Sequence, residues 1–356
     1  MQMLQGLKVV ELASVLAGPS VGMFLAELGA DVTKIENIKT GGDITRQWRT
    51  PAEKDGLSAY FASVNFQKNY LQKDLHHPQD LVAVKKLIAT ADILLHNFKL
   101  GDDLKYGLDA DSLKELNNKL IIGVIKGFSS QPNRVAYDVV AQAETGFMSI
   151  NGFSSTQNNL KMPVALMDIL AAHQLKEGVL LALLQREKTG RGSFVSVSLE
   201  DAGIAALANQ ASNYLMTGIE PQAMGSSHPN IAPYGDTFYT ADKKPIVLAV
   251  GSDAQFEKLC AQLLIPELAV DDRFSENTAR VKNRHALCEL LANAISDFER
   301  QVLLDHLHQQ QVPAAAVRTI AEVFENPSAR KLIRTETIEG YFTQRVSGNA
   351  FTIEEF

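Results

Sequence analysis

Lys8-Val9-Val10-Glu11-Leu12 is an apolar run broken by one acid, and together with the next two dozen residues it decides the fold. Ala17-Gly18-Pro19-Ser20 is a turn with a helix-start signal, residues 21–28 have helical spacing, and Gly29 is a stop. Residues 32–36 are again strand-like. Strand, helix and strand in this order form a βαβ unit, which implies parallel strands joined by a right-handed crossover.

The alternation continues outward. Helices are expected at 81–89, 112–116, 139–148, 169–186 and 200–215, and strands at 92–96, 120–125 and 194–198. The first part of the chain is therefore an open α/β layer structure. Between 216 and 235 the texture changes, with Gly218, Pro221, Gly225, Pro229, Pro233 and Gly235 punctuating an irregular stretch. A smaller α+β region comes next, with strands near 238–239 and 246–250 and helices near 254–264, 283–294 and 299–308. The expected organisation is a large Rossmann-like domain over 1–215, a linker over 216–235, a small domain over 236–311 and a return segment over 312–356.

Composition narrows the function classes. A chain of 356 residues with 46% apolar and 21% charged residues is ordinary for a globular protein of two domains. A net charge of −7 disfavours a general nucleic-acid or anionic-membrane binder, while leaving room for a local basic pocket. Cys260 and Cys288 match no metal spacing and are too few for a disulfide scaffold, so a reducing cytoplasm is expected, with no metal site. Glu11 and Glu27 interrupt the apolar N-terminal stretch, which argues against a signal peptide or membrane span. The first turn lacks the G-x-G-x-x-G fingerprint and there is no Walker A motif, which counts against a nicotinamide dehydrogenase.

Asp168 stands out chemically. It is the only charge between Met162 and Ala172, just where a long helical pattern begins. An ionised carboxylate in apolar surroundings costs free energy unless something offsets it, and a helix start supplies N–H groups and a positive dipole end. Asp168 thus reads either as an N-cap or as a carboxylate nucleophile kept ionised by its helix.

Several ordered segments resemble the class III CoA-transferases, the formyl-CoA and carnitine CoA-transferase group whose fold also hosts the α-methylacyl-CoA racemases. They are Leu4-Gln5-Gly6-Leu7-Lys8-Val9-Val10-Glu11-Leu12 with Ala17-Gly18-Pro19, Leu28-Gly29-Ala30-Asp31-Val32-Thr33-Lys34-Ile35-Glu36 with Gly41-Gly42-Asp43, and Asn65-Phe66-Gln67-Lys68 with Asp74-Leu75. Asp92-Ile93 with Asn97-Phe98, Ile125-Lys126-Gly127-Phe128, Tyr137-Asp138 with Gln142-Ala143 and Gly146, and residues 186–192 and 228–234 continue the match over almost the whole chain. The resemblance implies an interlaced homodimer and places Asp168 at the family's catalytic aspartate. CoA would then pass between carboxylic acids through anhydride and aspartyl-CoA thioester intermediates, with acyl-CoA as substrate and no permanent cofactor.

The same resemblance implies that Asn97 and Phe98 lie by the adenosine and that Lys73 and Lys105 lie near phosphates, with Lys39 and Arg46 as weaker candidates. The turn at Ala17 and Gly18 reads as a place for phosphate or pantetheine, because helix N-termini bind anions. Tyr137 and Asp138 are further candidates to border CoA, with Asp138 reading either as a group that orients Tyr137 or substrate or as a solvent-facing cap. The alternatives are a racemase-like isomerase and a non-catalytic CoA-binding homologue. The isomerase needs a second acid/base where Tyr137 stands, and tyrosine, with an ordinary pKa near 10, is a poor neutral-pH base. The chain departs from the family at Leu100, at Asn37, and at Ser14 and Leu16, where formyl-CoA transferase has histidine and glutamine. Gly251-Ser252-Asp253 is also not glycine-rich. These differences argue against formyl or oxalate as substrate. His173 reads as structural, and His228-Pro229 as a turn or a site border.

Overall fold

Val9 and Val10 are consecutive, yet they serve different cores: Val9 packs with Leu25, Leu95 and Leu175, and Val10 with Ile35, Leu94 and Ile88. Side chains alternate across a strand, so a strand buried on both faces reads as a continuous apolar run. The computed structural model describes residues 2–53, 56–153 and 159–354. In it Lys8–Leu12 is strand β1, followed by β2 (Asp31–Asn37), β3 (Lys68–Lys73), β4 (Ile93–His96), β5 (Ile121–Lys126) and β6 (Ser193–Ser198). They form one parallel sheet in the order β3-β2-β1-β4-β5-β6. The order runs outward from β1 to β3 and then restarts at β4 on the other side. In open α/β sheets the carboxyl-end crevice at such a switch is where ligands bind.

The connecting helices are α1 (Ala17–Glu27), α2 (Ala59–Ser63), α3 (Pro78–Ala89), α4 (Asp102–Tyr106), α5 (Ala110–Leu116), α6 (Asp138–Glu144), α7 (Phe147–Ile150), α8 (Leu166–Thr189), α9 (Leu199–Ala205) and α10 (Ala208–Thr217). Two expected helices are each broken in two. The first breaks at Gly146, whose φ of 85° ends α6, and the second at Ala208, whose φ is 46°. β3 was not expected: its sequence, Lys-Asn-Tyr-Leu-Gln-Lys, is largely polar because it is an edge strand.

The chain divides into two compact units, one made of Met1–Ser149, Leu160–Pro221 and Arg330–Phe356, the other of Ile150–Asn159 and Gln222–Ala329. The second holds the antiparallel sheet β7 (Tyr234–Tyr239), β8 (Pro245–Ala249) and β9 (Ala314–Ala316). Its helices are α11 (Asp253–Gln262), α12 (Asn277–Lys282), α13 (Arg284–Ile295), α14 (Arg300–Gln309) and α15 (Ile320–Glu325). The return to the first unit was expected at 312, but β9 pairs with β8, so the crossing falls near Arg330 instead. The returning chain forms the hairpin β10 (Ile333–Ile338) and β11 (Tyr341–Val346), and the buried Arg345 pairs with Glu27 of α1. Among the described residues no helix is long and apolar enough to cross a membrane.

Candidate active site

The loop between β1 and α1 has its main chain held at every residue. The Ala13 carbonyl accepts Lys34 Nζ at 2.7 Å, and Asn97 both accepts the Ser14 N–H at 3.1 Å and donates to the Ser14 carbonyl at 2.9 Å. The Val15 N–H donates to the Asp43 carboxylate at 3.1 Å, and the Leu16 carbonyl accepts the Ser20 hydroxyl at 2.8 Å. Val15 has φ 73°, a left-handed conformation that a β-branched residue resists, so the Asp43 bond holds it against strain.

Behind the loop lies a buried ionic chain. Lys68 and Lys34 both reach Glu11, at 2.8 and 2.9 Å, and Lys34 also reaches Asp43 at 3.1 Å. Burial opposes the charge on Lys34, but Glu11 and Asp43 outweigh it and hold the ammonium above lysine's ordinary value. Burial wins at Lys68 and pulls it down to about 8. Gly22 leaves the space for this chain, since a Cβ there would lie 1.8 Å from Glu11 Oε2.

A cavity of about 390 Å³ opens at the carboxyl ends of β1, β2 and β4, lined among others by Ser14, Asn37, Asp43, Lys73, Phe98 and Tyr106. The Phe98 ring packs on His96 at 4.8 Å and on Tyr106 at 6.0 Å between centroids. Burial lowers the His96 pKa to about 4, so its imidazole is neutral, and its Nδ1 is buried with no hydrogen-bond partner.

Asp168 lies on α8 and is 8% exposed. Asp168 is not the N-cap of α8. The cap position is Ala165, Asp168 is the third helical residue, and the first turn's N–H at Met167 donates to Asp138 at 2.7 Å. Among the described residues no hydrogen bond reaches the Asp168 carboxylate. Burial, and then the charge of Asp138, pushes its pKa up to about 7. The helix start therefore does not keep it a fully ionised carboxylate at neutral pH. Tyr60 of α2 feels the same charges: burial, then Asp168, Asp138 and Asp43, pushes its phenol up to about 12. Trp48 packs edge-on against Tyr60 at 5.1 Å.

A family model described as CoA-transferase family III matches residues 4–349. The chain belongs to CoA-transferase family III. It is 38% identical to the succinate–glutarate CoA-transferase of Agrobacterium fabrum over 92% of this chain and 83% of that one. It is 33% identical to the succinyl-CoA:mesaconate CoA-transferase of Haloarcula hispanica over 91% of this chain and 82% of that one. A crystal structure of a CaiB/BaiF family protein from Brucella suis superposes with a TM-score of 0.85 at 39% identity, covering 99% of this chain and 93% of that one.

The residues expected to hold CoA in this family III chain are placed differently from one another. Phe98 and Lys73 line the cavity, although Lys73 is paired with Asp80 at 2.9 Å. Lys105 lies over the Tyr106 ring at 5.4 Å and has no ion pair among the described residues. Asn97 spends its amide on Ser14, so it shapes the loop. Ala17 and Gly18 are buried in α1, and Gly18 packs so close that a Cβ would lie 2.3 Å from Ala13 Cβ. Tyr137 is 52% exposed at the start of α6, while Asp138 faces α8. Of the weaker candidates, Lys39 pairs with Asp74 at 2.7 Å, and Arg46 with Glu36 at 2.6 Å and Glu339 at 2.9 Å. Sequence reasoning missed Tyr60, Asp43 as a loop anchor, and Gln142. Asp43 and Gln142 stood in family-matching segments, Gly41-Gly42-Asp43 and Gln142-Ala143, but without a role, and Tyr60 gave no signal.

Proposed function

We propose that this protein moves CoA from succinyl-CoA to a second dicarboxylic acid, with Asp168 as the covalent carrier. The observation that carries the reading is a buried carboxylate on the first turn of α8 with no hydrogen-bond partner among the described residues. The CoA-transferase relatives add the substrate class, since those named above act on succinate or succinyl-CoA with glutarate or mesaconate.

In this reading the ionised Asp168 attacks the thioester carbonyl and CoA leaves as thiolate, giving a mixed anhydride. The thiolate attacks the Asp168 carbonyl carbon and releases the donor acid, leaving an aspartyl-CoA thioester. The acceptor carboxylate attacks that thioester and releases the thiolate again. The thiolate then takes the acceptor acyl group from the second anhydride and frees Asp168. Holding CoA close and excluding water are the protein's tasks, because water would hydrolyse either anhydride. A pKa of about 7 leaves a substantial ionised fraction of Asp168 at neutral pH, with a more basic oxygen than an ordinary aspartate.

The active assembly in this reading is an interlaced homodimer in the cytoplasm. Supporting the dimer, α10 buries none of its residues, and Leu215 and Met216 are 78% and 85% exposed. The test is an exchange assay by chromatography with succinyl-CoA and a panel of mono- and dicarboxylic acids. New CoA thioesters of dicarboxylic acids are expected. Transfer only to monocarboxylic acids, or thioester hydrolysis alone, would contradict the reading.

A further inference from the structure

Ser58, Asp109, Ser198 and Ser252 each cap their own helix with a local side chain. The helix that carries Asp168 is built differently. Its N-cap, Ala165, has no group to offer, and its N–H at Met167 is taken by Asp138 of α6 across 29 positions of sequence. The second Asp138 oxygen is held by Gln142 Nε2 at 2.6 Å, one turn along α6. Gln142 is fully buried, and its carbonyl oxygen accepts the Met162 N–H at 2.7 Å. Two side chains of one helix thus grip both ends of the segment that leads into Asp168.

A neutral cap would satisfy the Met167 N–H as well as a charged one. A carboxylate beside Asp168 adds a second effect, because like charges disfavour ionisation of a neighbour. We propose that Asp138 and Gln142 are positioning residues for the transfer reaction: a clamp that fixes the Asp168 carboxylate and sets how readily it ionises. Asp138 is then not a CoA ligand. The inference rests on Asp168 being the carrier.

The other charges on elements packed against α8 are engaged elsewhere. Glu27 of α1 pairs with Arg345, Glu144 of α6 with Arg134, Glu200 and Asp201 of α9 hold Ser129, and Lys126 of β5 lies over Phe194. Lys176, further along α8, lies over the Phe24 ring, and α2 contributes Tyr60. Asp138 is the charge left to act on Asp168.

The test uses the full chain with D138N, which removes the charge, and Q142M, which keeps volume and removes the hydrogen bonds. Three quantities are read: CoA affinity by calorimetry, the rate of adduct formation with succinyl-CoA by quenched mass spectrometry, and the ionisation midpoint of Asp168 by carboxyl-¹³C NMR. D138N is expected to lower the midpoint by about one pH unit, shifting the acid limb of the rate downward, with CoA affinity within about twofold. Q142M is expected to slow adduct formation about tenfold or more without moving the midpoint. The clamp is overturned if D138N weakens CoA binding with the midpoint unmoved, or if both variants form the adduct at the wild-type rate. Absence of any adduct in the wild type refutes the carrier reading itself, and the clamp falls with it.

Discussion

Met167 donates its main-chain N–H to Asp138 at 2.7 Å, and the next residue, Asp168, has a buried carboxylate that no donor reaches among the described residues. The helix start thus stabilises the neighbour's charge and leaves the candidate nucleophile under-stabilised. Its pKa of about 7 lies above the value near 3.9 of an unfolded aspartate. Between those values the native state binds more protons than the unfolded state, so this group's contribution to stability falls as pH rises. Asp168→Asn escapes the penalty. Its advantage over wild type in urea unfolding is expected to grow by about 2 kcal/mol between pH 5 and pH 8, while transfer activity is lost. An advantage that does not change with pH would mean that Asp168 ionises as if in water.

The buried chain Lys68–Glu11–Lys34–Asp43 is a stability element as well as the anchor of the loop. Lys34→Met leaves two carboxylates without their shared cation and is expected to cost about 3–5 kcal/mol. Gly22→Ala is expected to be comparably damaging, since its Cβ would collide with Glu11. Chemical denaturation checks both, and a cost under 1 kcal/mol for either, roughly that of a tolerated surface change, would contradict this account.

Arg46 and Lys105 are both cationic, but the structure gives them different work. Arg46 is engaged by Glu36 and Glu339 and stacks over Phe61 at 4.0 Å. Arg46→Met is expected to lower stability and leave CoA affinity unchanged. Lys105 is exposed and outside any ion pair among the described residues. Lys105→Met is expected to weaken CoA binding about three- to tenfold at low salt, with the difference shrinking as salt rises. Calorimetry at two ionic strengths separates the cases, and the reverse pattern would refute the assignment.

The range of each interaction determines whether it was legible in the sequence. The first βαβ unit was readable because strands buried on both faces and their stop glycine leave a local pattern. β3 and the hairpin β10–β11 were not, because partly exposed edge and hairpin strands carry polar residues that look like loop. Glu11 registered only as an interruption of an apolar run. Its pairing with Lys34 and Lys68 spans 23 and 57 positions and has no local signature. Asp168 was found as a lone charge at a helix start, but the cap comes from Asp138, and no local rule supplies a cap from another helix. The late crossing near Arg330 was hidden because Ala314–Ala316 reads as an apolar stretch with no preference for either unit.

Asn97 tests the loop. It satisfies both main-chain groups of Ser14, so Asn97→Ala is expected to cost about 1–3 kcal/mol and to raise KM for acyl-CoA. Asn97→Asp keeps the acceptor for the Ser14 N–H and loses the donor, so it should fall between wild type and alanine in thermal melts. Wild-type KM in the alanine variant would separate the loop from substrate binding.

The central claim is that Asp168 carries the acyl group and then CoA. The most direct measurement is peptide mass spectrometry after incubation with succinyl-CoA, with and without hydroxylamine. The account predicts a CoA adduct on the Asp168 peptide, converted to a hydroxamate by hydroxylamine and absent from Asp168→Asn. An unmodified Asp168 peptide while CoA is being exchanged between acids would contradict it.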